Sequence, residues 1–415
     1  MGASATVAIN ERCNAMLQRG ERVYKLGLGQ SPFPVPQPVV QALRDAAHEK
    51  DYLPVRGLRA LRDEVAAYHG RRDGLQRSGD DVLVGPGSKE LMFLLQLVYY
   101  GDLVIPAPAW VSYAPQARII GRQVHMLQTR SQDGWRLQAS QLETLCEGDP
   151  ERPRVVVLNY PSNPTGGTYT EDELRELARV AKRFRVVLLS DEIYGELHHR
   201  GEHVSIARFY PEGTIISAGL SKWCGAGGWR VGTFLFPPDM GWLLDAMAAA
   251  ASETYTSTSA PIQFAAVRAF QGGAELDDYL ERSRRVLRAL GGAVHTRLAA
   301  AGVQSAPPTG GFYLLPDFGA KRGALAARGI TTSPQLCEAL LADTGVAILP
   351  GHDFGRPEEE LLARLAYVDF DGAAAIAALP ATEDADGDPD EAYLRAHCPR
   401  VMDATDAICS WFDAL

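Results

Sequence analysis

Lys222 stands in "SAGLSKWCGAGGWRVG" (217–232), with a serine before it, a tryptophan after it, and four glycines and an arginine downstream. Three uses fit a lysine in such company: a solvated charge, a grip on phosphate, or an amine that forms a covalent bond. Other polar groups sit at comparable places, directly after apolar runs. Ser88 and Lys89 follow "VLVGPG", Asn163 follows "VVVLNYPS", and Asp191 and Tyr194 follow "VVLLS". Gly87, Ser88 and Lys89 open a helical pattern, where free backbone N–H groups favour a phosphate. The spacing is not that of a P-loop, and no GxGxxG opens a first strand–helix turn. An acid at the end of an apolar strand, such as Asp191, suits a protonated ring nitrogen. A phosphate cradle, that acid and a reactive lysine are together what pyridoxal 5'-phosphate needs.

These residues need a scaffold that brings strand ends together. "DDVLVGPG" (80–87), "DLVIPAPAW" (102–110), "QVHMLQT" (123–129), "RVVVLNYPSNPTGG" (154–167), "RVVLLSDEIYGEL" (185–197), "TIISAGLSK" (214–222) and "VGTFLFPP" (231–238) read as strands running into loops. Between them "PQPVVQALRDAA" (36–47), "GLRALRDEVAAYHGRR" (57–72), "SKELMFLLQLVY" (88–99) and "TEDELRELARVAKRF" (170–184) read as helices, the last with Thr170 and Glu173 at capping-box spacing. The alternation predicts an α/β fold, a mostly parallel sheet sandwiched by helices, whose ligands sit beyond the strands' carboxyl ends. After about residue 240 the pattern turns helical, with one long helix over 275–302. Strand patterns return at 310–318 and 345–351, and 360–371 reads as a helix passing into a strand. The acidic, turn-rich 380–393 reads as a solvated linker, and 402–415 as a last amphipathic helix. The expected division is an N-terminal arm with part of a small domain (1–45), a large cofactor domain (46–300), a smaller α+β domain (301–379) and a linker with terminal helix (380–415).

The 415 residues carry a net charge of −10, which argues against a nucleic-acid partner. The six cysteines are scattered and form no CxxC pair, so no metal site is expected, and a reducing, cytoplasmic compartment fits. The first residues lack the pattern of a secretory signal, their Met-Gly opening is not taken as a lipidation signal, and no run has the length of a membrane span.

The ordered blocks "NPTG" (163–166), "SDEIYGEL" (190–197), "SKWCGAGGWRVG" (221–232) and "RLAYVDF" (364–370) resemble those of pyridoxal-phosphate enzymes of fold type I, in the class I and II aminotransferase family. Weaker matches in "GLGQSPFPVP", "DYLPVRG", "GPGSKEL", "PAPAWVSY" and "PTGGFYLLPDF" extend the resemblance over roughly residues 25–375. It implies that Lys222 is the Schiff-base lysine and Asp191 the partner of the pyridinium nitrogen. Asn163 and Tyr194 resemble the donors to the ring hydroxyl, and Trp110 the aromatic stacked on the ring. Ser88, Lys89, Ser221 and Arg230 resemble phosphate contacts, and Tyr52 the tyrosine that reaches the phosphate of a neighbouring subunit. Arg364 resembles the clamp on the substrate carboxylate, with Asn163 and Gly29 beside it. The activity implied is transfer of an α-amino group from an L-amino acid to a 2-oxo acid, in a homodimer with shared active sites.

Single residues also have plainer readings: Asp191 as an N-cap, Asn163 as a turn residue, Arg230 as half of a structural ion pair, Trp110 and Tyr52 as packing. Another carbanion reaction (decarboxylation, elimination or oxidation) and a non-catalytic relative are the competing functions. Gly219 stands where many relatives place a phosphate-binding serine. Dicarboxylate-specific members use a second arginine that 247–267 does not provide, leaving Lys89 or Arg56 for that task. Phe33, Trp223 and Phe312 are candidates for a pocket accepting aromatic or long aliphatic side chains.

Overall fold

The computed structural model describes residues 5–379 and 387–415. Seven strands form the central sheet: β1 Val82–Gly85, β2 Asp102–Ala107, β3 Val124–Gln128, β4 Arg154–Asn159, β5 Val187–Asp191, β6 Thr214–Gly219 and β7 Gly232–Leu235, in the spatial order β1-β7-β6-β5-β4-β2-β3. β3, β2, β4, β5 and β6 run parallel, and β7 is antiparallel to both of its neighbours. The central strands are apolar nearly throughout because helices cover both faces of the sheet. In the pairing register Asn159 lies beside Asp191 and Asp191 beside Ser217, so the polar ends of β4, β5 and β6 form one row.

The predicted helices at 36–47, 57–72 and 88–99 form as Gln37–Ala46, Arg59–Asp73 and Ser88–Val98. The helix Glu171–Arg183 carries the expected capping box: Thr170 Oγ1 accepts from Glu173 N at 3.3 Å and Thr170 N donates to Glu173 at 2.8 Å. From residue 241 to 300 the chain runs through the helices Gly241–Ser252, Ala260–Gln271 and Ala274–Ala300. A further helix, Ala5–Gln18, lies in a stretch with no strong apolar period.

The helix expected at the start of 360–371 is absent. Leu361 to Ala366 are buried without a break, and Ala363–Ala366 is a strand paired with Leu349–Pro350 on one side and Tyr313–Leu314 on the other. A short, continuously buried run reads the same as helix or strand in sequence. The linker reading of 380–393 also needs correction. Residues 380–386 lie outside the described residues, but from Gly387 onward the chain is fastened to the long helix. Arg285 donates to Gly387 O at 2.6 Å, Arg288 pairs with Asp388 and Arg297 with Glu391, which opens the helix Glu391–His397. The terminal helix is Pro399–Asp413.

A charged cluster sits immediately behind the row of strand ends. Glu192 is buried and accepts from Arg72 Nη2 at 2.7 Å and from Ser190 Oγ at 2.8 Å, with His203 Nε2 at 2.9 Å and Ser205 Oγ also in contact. Burial alone would raise the Glu192 carboxyl, but His203 and Arg72 outweigh it and hold it well below the usual range. Its backbone N–H donates to Ser217 O at 2.9 Å, continuing the β5–β6 ladder past Asp191. Removing one member of a buried pair leaves the other uncompensated. Glu192→Gln is expected to lower unfolding stability at pH 7 by about 3–5 kcal/mol, read by urea denaturation. The carboxyl is depressed in the folded state, so its contribution is present above its ordinary pKa and is lost as pH falls toward the folded value. The gap between wild type and variant should therefore narrow in acid.

Candidate active site

A cavity of about 300 Å³ opens at the carboxyl ends of β4, β5 and β6. Gly29, Ser88, Lys89, Trp110, Asn163, Asp191, Tyr194, Ser221, Lys222, Arg230 and Arg364 all line it. Of the residues that the resemblance assigned to cofactor or α-carboxylate, only Tyr52 lies elsewhere, 91% exposed on this chain.

The backbone around Ser88 and Arg230 is set by glycines. Gly87, at φ 93°, turns the end of β1 into the helix Ser88–Val98 and passes so close to Arg230 that a Cβ there would collide with the guanidinium. A Cβ at Gly232 would collide with Ser88 N, so β7 packs directly beneath the helix start. Arg230 itself has φ 57°, the left-handed region that side chains other than Gly, Asn and Asp seldom adopt. Its guanidinium donates only to carbonyls, Gly227 O at 2.9 Å and Pro86 O at 3.3 Å. Lys89 places its ammonium 5.0 Å from the centre of the Trp110 ring. Lys89 and Arg230 are exposed at the mouth, whereas Arg364 is buried at the inner end.

Lys222 Nζ donates to Gly29 O at 2.6 Å and lies 5.7 Å from the Tyr194 ring and 5.9 Å from that of Phe312. Burial, reinforced by the nearby positive charge of Arg364, lowers its amine to about 8. Asp191 Oδ2 accepts from the Tyr113 phenol, while Oδ1 is buried with no hydrogen-bond partner among the described residues. Burial raises this carboxyl to about 6, against the Tyr113 hydrogen bond, which lowers it. Asn163 N donates to Asn159 Oδ1 at 2.8 Å, and Asn163 Oδ1 accepts from Arg364 Nη1 at 3.3 Å. Arg364 also donates to Gly27 O and lies over the rings of Tyr313 and Phe354, at 4.9 and 5.1 Å; its Nε has no hydrogen-bond partner among the described residues. Four cations thus face one carboxylate, and among the described residues none of the five belongs to an ion pair. Such a site is built to receive anions.

Sequence reasoning did not single out Tyr113, Tyr313 and Asn159. The signals were present but weak. Tyr113 is three residues from Trp110, whose ring it meets edge-on at 5.2 Å, and Asn159 is the last residue of β4. Some side-chain readings fall. Phe33 and Trp223 belong to the core and do not line the cavity, and Phe312 packs behind Tyr194. Arg56 pairs with Asp245 and donates to Asp80 O at 3.3 Å, away from the cavity. Gly219 pairs with Gly232 across β6 and β7, and a Cβ there would lie 2.9 Å from Val231 O, so the close strand contact selects glycine.

A lysine, a buried carboxylate and cations that join no ion pair among the described residues line one cavity at the carboxyl edge of this sheet. The model of the family "Aminotransferase class I and II" matches residues 21–367, and the chain belongs to that family: it is an aminotransferase. An aspartate aminotransferase of Geobacillus stearothermophilus is 34% identical over 88% of this chain and 91% of its own length. An asparagine–oxo-acid transaminase of Streptococcus mutans is 30% identical over 88% and 92%. The solved structure of aspartate aminotransferase from Thermus thermophilus with maleate superposes with a TM-score of 0.84 at 27% identity, covering 99% of this chain and 97% of that one. No helix among the described residues is long and apolar enough to cross a membrane.

Asp191 supplies a test free of any ligand. Its folded-state pKa of about 6 lies above the ordinary 3.8, so its contribution to stability is full below the ordinary value and is lost as pH rises through about 6. Relative to Asp191→Asn, the cofactor-free wild type should lose about 3 kcal/mol between pH 4 and 7, at about 1.4 kcal/mol per pKa unit, measured by urea unfolding at each pH. Parallel pH profiles would remove Asp191 from its buried, unneutralised setting.

Proposed function

We propose that this aminotransferase moves the α-amino group of an acidic L-amino acid to a 2-oxo acid, with pyridoxal 5'-phosphate as cofactor. The observation that carries the reading is the imbalance of four cations against one buried carboxylate in a single cavity. A phosphate and a substrate carboxylate would balance it, and the residues present fit the cofactor. Asp191 Oδ1 is a buried acceptor lacking a donor, which a ring N–H would satisfy. The start of the helix Ser88–Val98, Ser221 and Arg230 would hold the phosphate, and Trp110 would lie against the ring. Asn163 Nδ2 and the Tyr194 hydroxyl would donate to the ring oxygen. When bound, the cofactor supplies the electron sink for bond breaking at the substrate's α-carbon.

The remaining work falls to the chain. Lys222 Nζ, lowered to about 8, has an accessible neutral form near neutral pH. That form would hold the cofactor covalently and, as a free amine, would take the proton from the α-carbon. Arg364 takes the α-carboxylate with its planar fork, beside Gly29. Lys89 is the cation to which we assign a side-chain carboxylate, because it faces the mouth over Trp110 without a carboxylate partner among the described residues. The names of the relatives, aspartate aminotransferases among them, support the same substrate class. The exposed Tyr52 suits a homodimer in which it reaches the partner's phosphate, with the large sheet as the cofactor unit and the segments around Arg364 as a second, smaller unit. A cytoplasmic setting completes the reading.

The test follows the absorbance of the loaded enzyme as each amino acid is added without oxo acid. Aspartate and glutamate should convert the cofactor fastest, each releasing the matching oxo acid with all its carboxylates intact. Lys222→Ala should keep its circular dichroism and lose turnover by at least about 10³-fold, the scale of losing a catalytic acid–base and its covalent role. Equal response to aromatic and acidic substrates would reject the acidic class, and turnover by Lys222→Ala would reject the role of the lysine.

A further inference from the structure

Of the phenols that line the cavity, Tyr194 is assigned to the cofactor and Tyr113 donates to Asp191, which leaves Tyr313. Tyr313 is 1% exposed and lies on the strand Tyr313–Leu314, paired through Ala366 with the strand that carries Arg364. Its hydroxyl is 2.7 Å from that of Tyr194, and the two rings meet edge-on at 5.5 Å. Its ring face lies 4.9 Å from the Arg364 guanidinium carbon. Its hydroxyl also fills the space where a Cβ of residue 29 would stand, beside the carbonyl that accepts from Lys222. One side chain therefore touches the tyrosine on the cofactor side, the arginine on the substrate side and the backbone that holds the lysine.

Each phenol has one proton to give. If Tyr194 donates its proton to the cofactor ring oxygen, the contact with Tyr313 can only be a hydrogen bond from Tyr313 to Tyr194. Burial raises both phenols, so neither loses its proton near neutral pH. The ring has a separate task. A guanidinium over an aromatic face is held in place, and the Phe354 ring, 5.1 Å from the same carbon, adds a second such contact.

Resting on the cofactor and carboxylate roles proposed above for Tyr194 and Arg364, we propose that Tyr313 is a positioning residue with two separable functions: its hydroxyl directs the Tyr194 proton toward the cofactor, and its ring orients Arg364 for the substrate carboxylate. The two functions meet in one rigid side chain, so the cofactor end and the substrate end of the cavity are set together.

Separating the hydroxyl from the ring tests this. Loaded wild type, Tyr313→Phe, Tyr313→Leu and Arg364→Leu are compared by circular dichroism, by the cofactor dissociation constant, by the dissociation constant of succinate as an unreactive dicarboxylate, and by kcat and KM. Tyr313→Phe keeps the ring. It should lower kcat and weaken cofactor binding, each by about 10-fold, the scale of one hydrogen bond, while succinate affinity and KM stay within about 2-fold. Tyr313→Leu should also weaken succinate, by about 5–10-fold, the scale of a lost cation–π contact. Tyr313→Phe with unchanged kcat and cofactor affinity, or with succinate weakened as much as kcat, overturns the proposal. So does Tyr313→Leu with native succinate affinity. Arg364→Leu keeps the two failures apart. If it binds succinate like wild type, the carboxylate assignment of Arg364 falls and takes the coupling with it; if it loses succinate while the Tyr313 variants behave alike, the coupling alone falls.

Discussion

Lys89, Lys222, Arg230 and Arg364 converge on a cavity whose one carboxylate is Asp191, and that unequal count of charge governs the rest of the site. Like charges in one pocket cost free energy unless solvent or an anion compensates them. The chain meets this by position. Lys89 and Arg230 stay at the exposed mouth, while Arg364 at the inner end donates to Gly27 O and Asn163 and lies against two aromatic rings. Lys222 cannot be hydrated freely and is surrounded by the other cations, so its amine is lowered to about 8. The same burial raises Asp191, since no cation pairs with it directly. The perturbations are in opposite senses, and an entering phosphate, ring cation and carboxylate would relieve them together.

The scaffold provides this convergence through register. Parallel pairing sets Asn159, Asp191 and Ser217 side by side, and the charged cluster around Glu192 fixes the chain one residue later. Arg364 arrives from a different sheet, tied to Leu349 and, through Leu365 and Ala366, to Leu314 and Tyr313. The segment Gly27–Gly29 joins the two halves, since its carbonyls accept from Arg364 and Lys222.

Much of this was legible in the residues. Apolar strands running into Asp191 and into the loops that carry Asn163 and Lys222 state the sheet and point to the site, because a strand buried on both faces offers polar chemistry only at or beyond its end. The box of Thr170 and Glu173 gave a helix start for the same kind of local reason. What escaped was long-range or ambiguous in period. Tyr113 and Tyr313 look like core aromatics until the fold brings their hydroxyls to Asp191 and Tyr194. Leu361 to Ala366 carries no period that separates helix from strand. Arg56 looked available for substrate until Asp245, almost two hundred residues away, proved to be its partner. The row Arg285, Arg288 and Arg297 is what turns the end of an acidic stretch from linker into structure.

If the four cations serve two anions at once, the phosphate at the mouth and the carboxylate at Arg364 must bind side by side. The direct measurement is a calorimetric titration of the cofactor-loaded protein with succinate at rising salt, with bound cofactor followed by its absorbance. Succinate should bind with the full complement of cofactor still in place, and its affinity should fall as salt screens the charges. Release of one cofactor for each succinate bound would show a single anion site and contradict the account.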